Sequence, residues 1–425
     1  MRKLAVLSMH SSPLALPGVG DGGGMSVYVR ELSSSLARAG VACDVYTRAD
    51  EPSLAPSVHV EPGLRVHHVQ AGPLAPVPKE ALFPLVEEFT AGVLESIVRD
   101  GLPDAIHANY WLSGIAGHSL KHTLELPLVS TFHTLARVKA EASPEETEAS
   151  EPSRRADAEA HVIGCSDAVL ASCTVESDQI VDLYHADPSR IEIVPPGVEL
   201  AFFSPGYKPQ ARRAIGMPGD GPLLLFAGRI QPLKGGCTAV RALSALARYG
   251  YGPSSDKAAR LVVVGGPSGP HGEEELAEMH RLVDELGLAG QVRFLPAQAH
   301  ERLSTFYRAA EVCLVPSRSE SFGLVALEAA ACGTPIVASA VGGLTTLVEH
   351  GKTGYLVETR DSSDDWARAE GFAARVAEIL GDDTFAAEMG MAAAERARGY
   401  TWPLAAARLR RLYGDLTARS LVECS

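Results

Sequence analysis

Two carboxylates, Glu320 and Glu328, bracket the stretch Ser321-Phe322-Gly323-Leu324-Val325-Ala326-Leu327. A helix begun near Ser321 would rise about 1.5 Å per residue and set them about 12 Å apart, close to the length of a sugar diphosphate. The first-turn amides of Phe322, Gly323 and Leu324 would lack intrahelical acceptors, and Gly323 lets a ligand approach the backbone. Such a helix start suits a phosphate. The pattern offers Glu320 to sugar hydroxyls, Glu328 to ribose hydroxyls and the amides to a diphosphate between them. A surface helix with solvated carboxylates is the alternative that the spacing leaves open.

A second constellation precedes the first. Leu223 to Phe226 reads as a buried strand ending in a glycine turn, Ala227-Gly228-Arg229, with Lys234 just beyond. In open parallel sheets ligands bind beyond the carboxyl ends of strands. Two cations there could neutralise a leaving diphosphate. Taken alone, an Arg and a Lys after a strand also fit solvated surface charges. Their coincidence with the carboxylate pair gives them weight.

These residues need elements to hold them, and the chain supplies two α/β sets. Apolar runs at Leu4 to Leu7, Cys43 to Tyr46, Ala105 to His107, Leu128 to Thr131, Ala168 to Ala171 and Ile191 to Val194 alternate with helical patterns such as Val27 to Ala39. Pro195-Pro196-Gly197 and Ser204-Pro205-Gly206 punctuate the chain as a linker. A second set follows, with strands at Leu223 to Phe226, Leu261 to Val264, Val292 to Leu295, Val312 to Val315 and Ile336 to Ala338. An amphipathic run from Trp402 to Leu416 closes the pattern. The acidic segment Glu141 to Pro152 lacks apolar residues and reads as a surface loop or a lid.

With these elements in place, the chain resembles the retaining family-4 glycosyltransferases of the GT-B fold, whose donor site joins a Gly-Arg turn and a following lysine to a Glu-x7-Glu helix. Arg229 and Lys234 match the first part, and Glu320 and Glu328 the second. The resemblance spans nearly the whole chain. It is strongest to the branch that glycosylates D-inositol phosphate in actinobacterial mycothiol biosynthesis, through Ser12 to Val29, Tyr110 to Gly114, His133 to Leu135, Gly228 to Lys234 and Gly265 to Gly269.

The resemblance implies an α/β GT-B architecture, two Rossmann-like doubly wound domains facing a central cleft. Residues 1–200 with a returning helix at 402–425 would bind the acceptor, and residues 206–400 the nucleotide sugar. It implies transfer with retention from a nucleotide sugar, UDP-GlcNAc favoured, to a small anionic acceptor such as inositol phosphate. Arg229, Lys234, Glu320 and His133 would serve catalysis. Gly23, Gly24, Gly228 and Arg293 would join Phe322, Gly323, Leu324 and Glu328 at the donor, base contacts coming from main chain near Arg293. Ser26, Lys79, Tyr110, Thr134 and Arg154 would hold the acceptor, an ammonium, a guanidinium and hydroxyls around a phosphate. The glycine loop Gly18 to Gly24 follows a strand and opens a helix, the context an anion cradle requires, although a flexible turn has the same composition.

His133 ends an apolar strand, where a histidine is as readily structural as functional. In the resembled enzymes it contacts a donor-sugar hydroxyl, which makes it a positioning residue. No Asp-x-Asp occurs, so the diphosphate need not be held by a divalent metal, and no cofactor beyond the nucleotide-sugar co-substrate is expected. No residue is an evident nucleophile for a covalent sugar intermediate. The family is thought to use front-face substitution, with a diphosphate oxygen taking the acceptor proton. Hinges near Pro195 to Pro205 and before Trp402 would let the domains close.

Several positions depart from the inositol-phosphate pattern. Ser26 replaces an asparagine, Ala108-Asn109 a Ser-His pair, Gly235-Gly236 an Ala-Pro pair, and Thr345 a proline. They raise a rival, an antibiotic-pathway transferase that takes another nucleotide sugar and a different small polar acceptor. A catalytically silent nucleotide-sugar sensor is a third reading, disfavoured by the full set of donor-site charges.

Composition sets outer bounds. A chain of 425 residues exceeds what one core usually supports, about 250 to 300 residues. The net charge of −14 disfavours a nucleic-acid partner, which needs a basic face. No apolar run is long enough for a membrane span, and the apolar start reads as a first strand rather than a leader. Seven scattered cysteines without metal-ligand spacing fit reduced thiols in a cytoplasm. The partners expected are small molecules, with a homodimer by family resemblance.

Overall fold

A computed structural model describes the chain except for residues 17, 19–21, 143–150, 218, 220, 359–363 and 425. It forms two compact units. One comprises Met1–Ala15, Gly24–Gly197 and Trp402–Ser425, the other Leu16–Gly23 and Val198–Thr401. The linker therefore begins at Val198, and Leu16–Gly23 groups with the second unit, whereas the sequence reading placed it in the first.

The first unit is built on eight strands: β1 (Lys3–Leu7), β2 (Ala42–Arg48), β3 (Ser57–Glu61), β4 (Leu64–Val69), β5 (Ala105–Asn109), β6 (Leu128–Thr131), β7 (Ala168–Ala171) and β8 (Ile191–Ile193). Their order is β3-β4-β2-β1-β5-β6-β7-β8, parallel except for the antiparallel β3–β4 pair. Strands β5, β6 and β7 are buried at every residue, which is why they read as short continuous apolar runs. The β3–β4 hairpin was absent from the sequence reading. Strand β3 lies at the sheet edge with no fully buried residue, so no apolar run marks it.

The second unit has β9 (Leu223–Ala227), β10 (Arg260–Val264), β11 (Val292–Leu295), β12 (Val312–Val315), β13 (Ile336–Ser339) and β14 (Gly354–Val357), in the parallel order β11-β10-β9-β12-β13-β14. The edge strand β14 was also missed. Among the parallel strands the order switches direction between β1 and β5 in the first sheet and between β9 and β12 in the second. Those switch points open a crevice at the carboxyl ends of the strands, where loops can hold a ligand.

The helix Trp402–Leu416 packs in the first unit against the helix Gly24–Arg38, with the Trp402 and Tyr28 rings 5.8 Å apart edge-on. Tyr413 on that helix reaches β5, its hydroxyl 2.8 Å from His107 Nδ1. His107 Nε2 pairs in turn with Thr131 Oγ1 of β6 at 2.8 Å. One buried imidazole thus joins two strands and the returning helix.

The predicted loop at 141–152 is bounded by the helices Ala136–Ala142 and Glu151–Cys165, so its two ends are helical. Its centre, 143–150, lies outside the described residues. The expectation of seven reduced thiols needs one correction: Cys165 and Cys424, 259 residues apart in sequence, are paired as a disulfide. That separation hid the pair, because only the return of the C-terminal segment to the first unit brings it together. The other five cysteines are buried and form no disulfide. No helix among the described residues is long and apolar enough to cross a membrane.

Candidate active site

The switch point between β9 and β12 gathers the cation turn and the first carboxylate. Lys234 Nζ stands 2.6 Å from Glu320 Oε2, and Ser317 Oγ donates to the same oxygen at 3.2 Å. Phe226, Gly228, Lys234, Ser317, Glu320 and Val325 line a small cavity there. Both loops are fixed by main chain. Arg318 N–H donates to Leu233 C=O at 2.8 Å, and a Cβ at Gly235, whose φ is +72°, would stand 2.2 Å from Pro316 O.

Two glycine contacts that the sequence reading left without a role also shape this frame. A Cβ at Gly342, with φ +46°, would fall 1.8 Å from the carbonyl oxygen of Glu320. The neighbouring Gly343 N–H donates to that same carbonyl at 3.0 Å. A Cβ at Gly265 would fall equally close to Gly228 O. Only glycine fits where backbones approach so closely.

Gly23 and Arg229 also meet. A Cβ at Gly23 would lie 3.0 Å from Arg229 Nε, so the glycine leaves space for the guanidinium. The middle of the glycine loop lies outside the described residues. Gly18 and Gly22 close its base, Gly18 N–H donating to Gly22 C=O at 2.8 Å. Gly24 opens the helix Gly24–Arg38.

The carboxylate helix corrects the sequence reading at its start. It spans Leu324–Ala331, three residues later than expected, with Gly323 before it at φ +102°. The left-handed glycine delays the helix, and a Cβ there would meet Leu344 at 2.6 Å. Leu327 N–H makes the first turn's bond to Gly323 C=O, leaving the amides of Leu324, Val325 and Ala326 as the helix-start donors. Phe322 is buried beneath them rather than presenting a first-turn amide.

Glu328 is not a solvated carboxylate. It is buried, with His300 Nε2 2.7 Å from Oε1 and the Tyr307 hydroxyl donating to Oε2 at 2.8 Å. Burial and the adjacent carboxylate hold the Tyr307 phenol well above its usual pKa, so it remains a donor. The two partners fix the carboxylate plane and leave lone-pair capacity on each oxygen. Sequence reasoning missed His300 and Tyr307, although Tyr307 at the end of an amphipathic helix before β12 was a usable signal. Arg293 turns its side chain aside, donating to Gly216 C=O at 3.1 Å, so only main chain is left for the base contact expected near it.

In the first unit, His133 follows β6 with φ +62°. Its Nε2 lies 2.9 Å from Asn109 Oδ1, and its ring meets Tyr28 edge-on at 4.8 Å. Burial, aided by nearby His107, pushes its pKa down to about 3, so the imidazole is neutral at physiological pH. A neutral ring donating to Asn109 is compatible with a positioning role.

The expected acceptor clamp is partly assembled. Arg154 lies over the Phe83 ring at 5.2 Å, and Phe83 stacks on Trp111 at 5.7 Å, the neighbour of Tyr110. Lys79 pairs with Glu80 at 3.1 Å in the turn just before Phe83. Thr134 is held by Arg155, the neighbour of Arg154 and a residue to which the sequence reading gave no role. Arg155 donates to Thr134 Oγ1 at 3.0 Å and to its carbonyl at 2.7 Å, and lies over the Tyr110 ring at 4.8 Å. Its Nε pairs with buried Glu159 at 2.7 Å. Arg154 and Arg155 are adjacent, and only the helix phase decides which faces Thr134. Ser26 is buried, its hydroxyl 2.7 Å from that of Ser11, so this position is drawn into the protein interior.

Known proteins share this architecture. A family model described as glycosyl transferases group 1 matches residues 208–396, and one described as glycosyl transferase 4-like domain matches residues 23–197. The D-inositol 3-phosphate glycosyltransferase of Acidothermus cellulolyticus is 43% identical over 98% of this chain and 91% of its own. That of Actinosynnema mirum is 45% identical over 98% of this chain and 97% of its own. Among solved structures, sucrose-phosphate synthase from Thermosynechococcus elongatus superposes with TM-score 0.88 at 33% identity, covering 98% of this chain and all of that one. An Anabaena protein, HepE, solved with UDP and glucose, shares the fold at TM-score 0.74 and 18% identity.

Proposed function

From the premise that this chain belongs to the group 1 glycosyl transferases, in the branch of the D-inositol 3-phosphate glycosyltransferases, we propose that it moves N-acetylglucosamine from UDP to D-inositol phosphate. The protein is a GT-B glycosyltransferase that uses a nucleotide-sugar donor and retains anomeric configuration. The Lys234–Glu320 pair at the β9/β12 switch point supports the donor assignment most directly.

The second unit binds the donor. Lys234 and Arg229 bring positive charge to the diphosphate, joined by the amides of Leu324 to Ala326. Glu320 accepts from sugar hydroxyls, and Glu328, oriented by His300 and Tyr307, from the ribose. As charge develops on the leaving diphosphate, the lysine exchanges its contact with Glu320 for phosphate oxygen. The acceptor hydroxyl attacks on the face the diphosphate leaves, and a diphosphate oxygen takes its proton. These cations and amides do the work a divalent metal does elsewhere, so the transfer is proposed as metal-independent.

The first unit binds the acceptor. Arg155 ties Thr134 and Tyr110 into one surface, beside the aromatic pair that carries Arg154. The proposal includes a cytoplasmic location and, by family resemblance alone, a homodimer.

A second reading rests on Ser26 and Asn109. Ser26 turns its hydroxyl to Ser11, and Asn109 spends its carbonyl on His133. Both lie at positions where the branch carries longer polar side chains, which favours an acceptor other than inositol phosphate, as in an antibiotic pathway. One assay separates the two. The protein is incubated with UDP-, GDP- and dTDP-sugars, with inositol phosphate or a small-metabolite extract, following nucleotide release and new glycoside mass. UDP release that depends on inositol phosphate is expected; release with extract alone would replace the first reading by the second.

A further inference from the structure

The remaining cluster of reactive side chains lies wholly in the first unit, where the C-terminal segment returns to the helices Trp111–Leu124 and Glu151–Cys165. His118 and His122 occupy one face of the first helix, four residues apart. Cys165 ends the second helix, and Cys424 comes from the returning segment. His118 Nε2 and His122 Nε2 are 3.1 Å apart. Cys424 Sγ lies 3.2 Å from His122 Nε2 and 3.4 Å from His118 Nε2. His118, Cys165 and Cys424 keep their donor atoms within 4.8 Å of one another.

We propose that these four side chains form a Cys2His2 site for a borderline-soft divalent cation, zinc first among them. A tetrahedral ion with bonds of about 2.0 Å to nitrogen and 2.3 Å to sulfur sets its ligand atoms about 3.3 Å (N to N) and 3.5 Å (N to S) apart. The spacings among His118 Nε2, His122 Nε2 and Cys424 Sγ sit close to those values, and the Cys165 sulfur, bonded to Cys424 in the disulfide, would separate from it on reduction to complete the set. A disulfide alone has no use for two imidazole nitrogens converging on one of its sulfurs, whereas a metal has. Four protein ligands leave no open position, which makes the site structural rather than catalytic.

The surroundings hold the ligands in place. Val422 N–H donates to Asp167 Oδ1 at 2.7 Å, two residues from Cys424. Lys121, between the two histidines, pairs with Asp167 at 2.9 Å and donates to the Cys165 carbonyl at 2.8 Å. The His161 ring meets His118 edge-on at 4.7 Å and packs the imidazole from outside. The ion would clamp the last residues of the chain to the first unit.

The disulfide and the metal site are alternative states of the same sulfurs. A phosphine reductant and water convert the disulfide to two thiols and a phosphine oxide. Zinc then displaces both thiol protons and binds two thiolates and two neutral imidazoles.

The test uses full-length protein reduced with a phosphine, stripped with a chelator and titrated with zinc, then separately with cobalt. One equivalent per chain is expected, with thiolate-to-cobalt charge transfer and the visible bands of a tetrahedral ion. Cys424→Ser and His118→Ala should each weaken zinc by more than about 100-fold, at least the loss that removing an outer-shell partner brings. Zinc should also slow tryptic cleavage after Arg419 several-fold in the parent protein and leave the rate unchanged in Cys424→Ser, a readout that does not depend on stability. Absence of stoichiometric zinc in protein shown to be reduced would overturn the proposal. So would equal zinc content in the parent and both variants.

Discussion

Lys234 and Glu320 form an ion pair across the two loops that close the β9/β12 crevice, with Nζ 2.6 Å from Oε2. The pair keeps a cation in place for a phosphate before any phosphate arrives. Replacing Lys234 with Ala should lower kcat by about 10²- to 10³-fold, the range for losing one charge-stabilising group. The pair is partly exposed, so the thermal midpoint should hardly move. Nucleotide release and a melting curve on the same sample check both expectations. An active K234A would remove the lysine from the mechanism.

Tyr307 and His300 give Glu328 its orientation. Tyr307→Phe leaves one buried carboxylate oxygen without its donor and should cost about 1 to 3 kcal/mol of unfolding free energy. It should also raise donor KM while changing kcat less, because ribose binding contributes similarly to ground and transition states. Urea unfolding and a donor saturation curve measure the two effects.

The buried histidines make stability depend on pH. His133 and His107 are each pushed down to about 3 by burial, against an unfolded value near 6.5. Between those values the unfolded chain binds more protons than the folded one, so stability falls as pH drops below about 6.5 and continues falling toward about 3. Unfolding at about pH 7 and about pH 5 should show the loss. It should be smaller in His133→Asn, which has no proton to bind there. Above pH 7 neither group contributes a slope.

Gly342 bears on Glu320 through the backbone alone. Gly342→Ala would force a Cβ against the Glu320 carbonyl, and its positive φ adds strain of about 1 to 3 kcal/mol. Activity should fall with stability, whereas Gly40→Ala, equally left-handed but facing open space, should cost stability only.

Arg155 is the acceptor-side residue to test first. Arg155→Ala should raise acceptor KM by at least tenfold and leave donor hydrolysis in the absence of acceptor unchanged, measured by nucleotide release with and without inositol phosphate. Arg154→Ala tests the neighbouring guanidinium in the same assay, and a larger effect there would favour the sequence-based assignment of Arg154 to the acceptor.

Much of this was legible in the chain. Strands β6, β7 and β12 follow from apolar runs, because strands covered on both faces admit few polar residues. The edge strand β3 carries no such signature, whereas β14, Gly-Tyr-Leu-Val with three of its four residues buried, carries one that the sequence reading passed over. Of the proposed donor residues, Arg229, Lys234, Glu320 and Glu328 could be picked out from type and spacing. The partners of Glu328 could not, since His300 and Tyr307 reach it from a separate helix. The start of that carboxylate helix was misplaced for a local reason, the left-handed Gly323. The choice of Arg155 over Arg154 at Thr134 depends on one residue of helical phase, which composition cannot resolve. Cys165 and Cys424 meet only because the chain's last segment returns.

The main-chain bond from Arg318 to Leu233 has a consequence for how such enzymes diverge. Because the two donor loops are joined through backbone atoms and glycine contacts, their frame is indifferent to most side-chain replacements around it. On the proposed roles, an exchange at Ser26 or Asn109, in the other unit, would leave the donor frame intact while changing the acceptor side. A change of acceptor would then need no rebuilding of the loops that face the leaving group.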